Sequence, residues 1–212
     1  MKEFNLKTAD IEKLFRERTP KVIGMKKSFS VLVPLVEKDG RPHLLYEVRA
    51  KNLDRQPGEV CFPGGEIEEG ETPLQAAVRE TVEELGISED ETEVICELDA
   101  IHNYTNFSMY CFLGRIAYES VKNAKPNAAE VEELFLVPLE EILEAEPYIY
   151  KLSLVPKTDD FPNDIIGFPD GYPWRKGTSD VPIYRGFEHV IWGLTGRITR
   201  NFLEIIKQSR SK

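Results

Sequence analysis

The chain has 212 residues, of which 41% are hydrophobic and 30% charged, with a formal net charge of −10. That length suits one domain with additions, large enough to bury about 70% of its unfolded surface without disulfide staples. The acidic balance argues against a surface that tracks long nucleic acid, and no apolar run reaches the roughly 18 residues needed to span a bilayer.

Cys61, Cys96 and Cys111 show no metal-ligand spacing. An odd set of scattered thiols fits a reducing compartment, with each cysteine read as a small buried hydrophobe. The opening MKEFNLKTADIEKLFRER alternates charges with single apolar residues and has no signal-peptide core. The closing Arg210-Ser211-Lys212 is neither a peroxisomal nor an ER address. The expected location is cytoplasmic.

Leu6, Ile11, Leu14 and Phe15 predict an amphipathic helix over about 6–18. Residues 29–36 and 42–48 read as strands joined by a turn at Asp39-Gly40, with Pro34 marking a bulge or an edge position. After a Pro- and Gly-rich loop, a helix is expected over 72–85, stopped by Gly86. Residues 94–103 and 109–116 suggest a hairpin, 131–137 a strand and 139–144 a short helix. Residues 146–185 carry Pro, Gly and Asp without a clear period, which predicts a loop-rich insertion. A last helix is expected over about 189–208, with Trp192 as its core anchor. Strands interleaved with helices make this an α/β or α+β fold.

The densest chemistry lies in Gly65-x5-Glu71-x7-Arg79-Glu80-Thr81-Val82-Glu83-Glu84-Leu85-Gly86-Ile87. On a helix, Glu80, Glu83 and Glu84 share a face, while Leu74, Ala77, Val78, Val82 and Leu85 mark another, turned to a core. Ala76, one turn before Glu80, leaves room over the acidic face. Three carboxylates on one turn repel one another unless a counter-charge joins them. Hard oxygens clustered this way suit Mg²⁺ or Mn²⁺ bridging to substrate phosphates. The preceding Phe62-Pro63-Gly64-Gly65 turn admits close backbone approach, and a glycine carbonyl there completes a metal shell.

A chance match to these fixed positions is rarer than about one in 10⁸ at any given start. Residues 65–87 are identified as a Nudix box, with Thr81 standing where the family usually has an aliphatic residue. The resemblance implies a Nudix fold, an α/β/α sandwich with a mixed central sheet, formed by the whole chain 1–212 as a single domain. It implies Glu80 and Glu84 as metal ligands, with Gly65 contributing. Glu83 would ligate or deprotonate the attacking water, Arg79 would orient the glutamates, and Glu71 would tie the loop to the helix.

Upstream, Leu45-Tyr-Glu-Val-Arg49-Ala50-x3-Asp54-x3-Gly58-x3-Phe62-Pro63-Gly64-Gly65 resembles the motif LLTxR(S/A)x3Rx3Gx3FPGG of the coenzyme A diphosphatase branch. Glu47 replaces the Thr, and Asp54 replaces the second Arg, with Arg55 adjacent. The segment from His189 to Ile198 resembles IWGLTARIL of the same branch. Arg49 and Lys51 are candidate phosphate contacts, Arg49 the better because its fork binds two oxygens; the alternative is plain surface charge. Gly64 and Phe168 complete the candidate substrate contacts. Glu130, Glu132 and Glu133 compete as an additional distal carboxylate, and His102 reads as a strand-end histidine rather than a base.

The resemblance implies a metal-dependent hydrolase cleaving coenzyme A or a derivative to 3′,5′-adenosine bisphosphate and 4′-phosphopantetheine. The alternatives are an ADP-ribose- or NADH-type diphosphatase and, in a different class, a non-catalytic ligand sensor. The implied partners are a small nucleotide substrate and a second copy in a homodimer, with no nucleic acid and no membrane. The aromatics of 146–185 are expected to line or cover the pocket for the non-adenosine end, or to cap the sheet.

Overall fold

The structure, a computed structural model, describes residues 7–18, 20 and 22–210. Helix α1 (Thr8–Arg16) falls inside the expected stretch; Leu6 lies outside the described residues. The helix buries no residue, and Leu14 and Phe15 are exposed. No described helix is long and apolar enough to cross a membrane.

Strands β1 (Lys27–Lys38) and β2 (Arg41–Arg49) form the expected hairpin. Asp39 and Gly40, with φ of 51° and 72°, make the left-handed turn that matches strand twist. Short strands β3 (Val60–Cys61) and β4 (Gly64–Glu66) pair with β2 and β1 respectively. Helix α2 (Pro73–Leu85) follows, then β5 (Thr92–Glu97), β6 (Ile101–Asn103) and β7 (Phe107–Ala117). Both β5 and β6 pair antiparallel with β7, so the expected hairpin is interrupted on one arm. β7 itself runs parallel to β1, which makes the sheet mixed. Helix α3 (Tyr118–Asn123), strand β8 (Val131–Pro138) and helix α4 (Leu139–Glu144) complete this layer, with β8 paired to β2.

Pro34 is neither at an edge nor in a bulge. It sits inside β1, opposite Gly114 in an unbroken register with β7. On the other side β1 changes partner, from β4 at 29–31 to β2 at 35–38. The N–H of Leu32 faces that side, bonding to the Pro63 carbonyl at 2.9 Å. Two residues on, the nitrogen of Pro34 faces the same way, into the gap between partners, where no donor is needed.

The insertion is more ordered than its composition predicts. Strands β9 (Tyr148–Leu154) and β10 (Gly177–Tyr184) pair antiparallel, and β11 (Ile191–Trp192) adds to β10, forming a second, three-stranded sheet. The connection 155–176 is the long stretch of the insertion without regular strands or helices. β9 is half-covered at best along its length, so apolar and polar residues do not alternate cleanly. The last helix, α5 (Gly193–Arg210), starts later than expected because 191–192 pair as strand. Trp192 is therefore no helix anchor, and it is exposed.

The central sheet separates two cores. Val31, Val33, Leu44, Tyr46, Phe135, Ile198, Phe202 and Leu203 share the cluster on the α4 and α5 side. Leu32, Val36, Leu45, Ala77, Leu85, Phe112 and Ile116 share the other, beneath α2. Alternate residues of β1 and β2 thus feed opposite layers, which is the expected α/β/α arrangement. Two hydroxyls pin α5: Thr199 Oγ1 meets the Tyr46 hydroxyl at 3.0 Å, and Thr195 donates to the Val60 carbonyl at 2.9 Å.

Candidate active site

Local chemistry fixes α2. Thr72 caps it by accepting the Gln75 N–H at 3.3 Å, while Gln75 Oε1 accepts the Thr72 N–H at 2.9 Å, and Pro73 opens the first turn. Gly86 ends it in the left-handed conformation, φ 64°. The face turned to the sheet differs from the expected apolar stripe. Ala76, Ala77, Thr81, Glu84 and Leu85 are buried, whereas Leu74 is 40% exposed and Val78 and Val82 are half-buried. The helix is rolled so that Glu84 faces inward. Thr81 tolerates burial because its hydroxyl donates to the Ala77 carbonyl at 2.7 Å.

Arg79 is the hub of the exposed side. Its Nε and Nη2 grip both Glu71 oxygens at 2.9 and 3.1 Å, and its Nη1 donates to Glu80 at 2.8 Å and to Glu83 at 3.2 Å. Nη2 also donates to the Glu66 carbonyl at 3.3 Å. Arg79 thus joins loop to helix through Glu71 and holds the carboxylates in register, with Glu71 drawn below the usual carboxylate range by that bond.

Glu84 lies deeper, 4% exposed, and accepts the Gly64 N–H at 2.7 Å. Burial, then the nearby Glu47 charge, pushes its carboxyl well above the ordinary range. Glu80 is also raised, chiefly by desolvation, although Arg79 opposes the shift. Gly65 lies directly against Glu80: a methyl group added there would sit 2.2 Å from Oε1. A side chain there would push the Glu80 carboxylate out of its present position. Hard carboxylate oxygens crowded in this way are the donor type that suits a divalent cation.

The glycine turn also forms one wall of a cavity of about 630 Å³. Arg49, Arg55, Phe29, Phe107 and Trp192 line it together with Gly64 and Gly65. The Nε of Arg49 is buried there without a hydrogen-bond partner. Arg55, next to the Asp54 that departs from the motif, brings a second guanidinium to the same cavity.

Of the sequence candidates, Glu80, Glu83 and Arg79 form one hydrogen-bonded cluster on α2, Glu84 reaches the Gly64 turn, and Gly64, Gly65 and Arg49 line the cavity. Lys51 does not line the cavity; its ammonium pairs on the surface with Glu132 at 3.2 Å. Phe168 lies on the 155–176 connection, edge-on to Tyr172, and is absent from the cavity wall. The rivals to Glu130 separate cleanly. Glu132 holds Lys51, and Glu133 bonds His189 at 3.1 Å. Glu130, which accepts from Asn127 at 3.0 Å, acts electrostatically on Glu47, Glu80 and Glu84. His102 stands at β6, bonded to Ser108 Oγ at 2.9 Å, as expected of a strand histidine. Trp192 on the cavity wall and the buried Glu47 are positions that carry no functional signal of their own in the sequence pattern. Glu47 is marked only by its departure from the Thr of the motif.

The family model described as NUDIX domain matches residues 26–155. The chain belongs to the Nudix family. It is 30% identical over 205 residues to the Nudix hydrolase NudL of Citrobacter koseri, covering 94% of this chain and 95% of that protein. With the mitochondrial coenzyme A diphosphatase NUDT8 of Homo sapiens it shares 29% identity over 196 residues, 92% of this chain and 75% of that protein. The peroxisomal coenzyme A diphosphatase NUDT7 of Mus musculus is 39% identical over 124 residues, 58% of this chain and 52% of that protein. The chain thus spans about half the length of that relative and of Nudix hydrolase 3 from Caenorhabditis elegans, 49% of which it covers. Among solved structures, a MutT/nudix family protein from Enterococcus faecalis superposes with a TM-score of 0.53 at 14% identity, covering 97% of this chain and 71% of that one.

Proposed function

We propose that the protein hydrolyses the diphosphate of coenzyme A or a close derivative, releasing 3′,5′-adenosine bisphosphate and 4′-phosphopantetheine. One observation carries the reading: the cavity holding Arg49 and Arg55 opens on the same Gly64-Gly65 turn that touches Glu84 and Glu80. A diphosphate lying along that turn reaches guanidinium forks on one side and carboxylates on the other. The names of the human and mouse relatives, both coenzyme A diphosphatases, support the choice of substrate.

Glu80, Glu84 and the Gly65 carbonyl would hold Mg²⁺ or Mn²⁺, which when bound lowers the pKa of water and neutralises phosphate charge. Arg79 fixes the carboxylates from outside. Glu83, the most exposed of the three glutamates, would take the proton of the attacking water. The water oxygen joins one phosphorus as that phosphorus loses its bond to the bridging oxygen, which leaves with the other phosphate. Arg49 and Arg55 bind the substrate's phosphates, and Phe29, Phe107 and Trp192 offer rings against its base or its weakly polar arm. The reading includes a homodimer, for which the exposed Leu14 and Phe15 of α1 offer apolar surface.

Side-by-side hydrolysis of coenzyme A, ADP-ribose and NADH tests the substrate. The highest kcat/KM is expected for coenzyme A; a clear preference for ADP-ribose would overturn that choice.

A further inference from the structure

Glu47 is the least expected group in the molecule. In β2, Leu45 packs in the cluster under α2, and Leu134, the cross-strand partner of Glu47 in β8, packs there too. Alternate residues of a strand share a face, so Glu47 points with Leu45 toward α2 rather than toward α5. It is 1% exposed.

Its two oxygens have different fates. Oε1 accepts the Cys61 thiol at 3.0 Å, and Oε2 is buried without any hydrogen-bond partner. The thiol is weak company for a carboxylate, and burial together with Glu47 keeps Cys61 protonated. Arg49 acts on Glu47 electrostatically, but no ion pair joins them among the described residues, and the Arg49 Nε is itself buried and unpartnered. The other charged groups acting on Glu47 are Glu84, Glu80 and Glu130, all acidic. A buried carboxylate with an unmet oxygen among three others is costly unless it takes up a proton or a cation joins them.

We propose that Glu47 is a further metal-ligating carboxylate, its free Oε2 joining Glu84 to hold a divalent cation on the sheet side of α2. The inference rests on the metal-dependent reading of the site and adds a ligand from β2, where the resembling motif has Thr. Hard, anionic oxygens select Mg²⁺ or Mn²⁺. Cys61 keeps the carboxylate oriented through Oε1 and leaves Oε2 for the metal.

The test is Mn²⁺ binding to the full chain without substrate, read as affinity and stoichiometry by calorimetry and by the electron paramagnetic resonance of free Mn²⁺. Glu47→Gln keeps shape and removes charge, and is expected to weaken binding about tenfold or more, or to lose one ion. Glu84→Gln is the companion. If Glu84→Gln weakens binding and Glu47→Gln matches the unsubstituted protein, the Glu47 inference is overturned and the metal site stands. If neither changes binding, the metal reading itself fails. A second readout is independent of turnover: Glu47→Thr should melt higher than the unsubstituted protein without metal and gain less on adding Mn²⁺. An unchanged gain overturns the inference. Should Glu47→Thr fail to fold, the melting comparison is made with Glu47→Gln.

Discussion

Glu84 accepts the backbone N–H of Gly64 at 2.7 Å, joining the last turn of α2 to the glycine turn that lines the cavity. A glutamine at 84 still offers an oxygen to that N–H but carries no charge. Glu84→Gln is therefore expected to keep the fold while Mg²⁺-dependent turnover falls by several orders of magnitude. Circular dichroism and steady-state kinetics check both halves. Near-normal turnover would mean that Glu84 is not a ligand.

Arg49 and Arg55 face the same cavity from β2 and from the loop that follows it. Removing a charge-assisted contact to a phosphate costs about 1.5–3 kcal/mol. Arg49→Ala and Arg55→Ala should each raise KM for coenzyme A roughly tenfold or more, with a smaller change in kcat. Lys51→Ala should leave KM near its original value, since Lys51 is engaged with Glu132. Equal KM effects at all three positions would contradict the placement.

Much of this arrangement was legible in the sequence, and for identifiable reasons. The Asp39-Gly40 turn, the Thr72–Gln75 cap and the Gly86 stop are local signals, written in the residues that form them. The glutamates of α2 are legible because their spacing is the helix period. Glu47 is not, because β2 is buried on both faces and shows no alternation against which a polar residue stands out. Likewise β9 and β10 pair across the whole 155–176 connection, a partnership that no short-range signal announces. Trp192 looks like the start of a helix until its pairing with Ile183 makes it strand.

Tyr46 tests the coupling between the sheet and α5. Its ring stacks on Phe62 and Phe135 at centroid distances of 4.7 and 5.4 Å, and its hydroxyl meets Thr199. Tyr46→Phe preserves the stack and leaves the buried Thr199 hydroxyl without that partner. The expected loss is about 1 kcal/mol, or a fall in Tm of roughly 2–4 °C for a chain of this size. An unchanged Tm would show that the bond contributes nothing net.

The aromatics of 155–176 pack on one another: Phe161 and Tyr172 both meet Trp174 edge-on, and Phe168 meets Tyr172. With these rings outside the cavity wall, replacing Phe168 and Trp174 by Ala should alter KM equally for coenzyme A and for a short diphosphate. A rise confined to coenzyme A would show that the connection reaches the substrate's longer arm.

The most direct measurement is the product set from coenzyme A incubated with the purified chain and Mn²⁺, resolved by mass spectrometry beside the Glu84→Gln variant. The expected result is 3′,5′-adenosine bisphosphate and 4′-phosphopantetheine in equal amounts, dependent on the metal and nearly absent with Glu84→Gln. Intact coenzyme A after prolonged incubation, or cleavage at any bond other than the diphosphate, would contradict it.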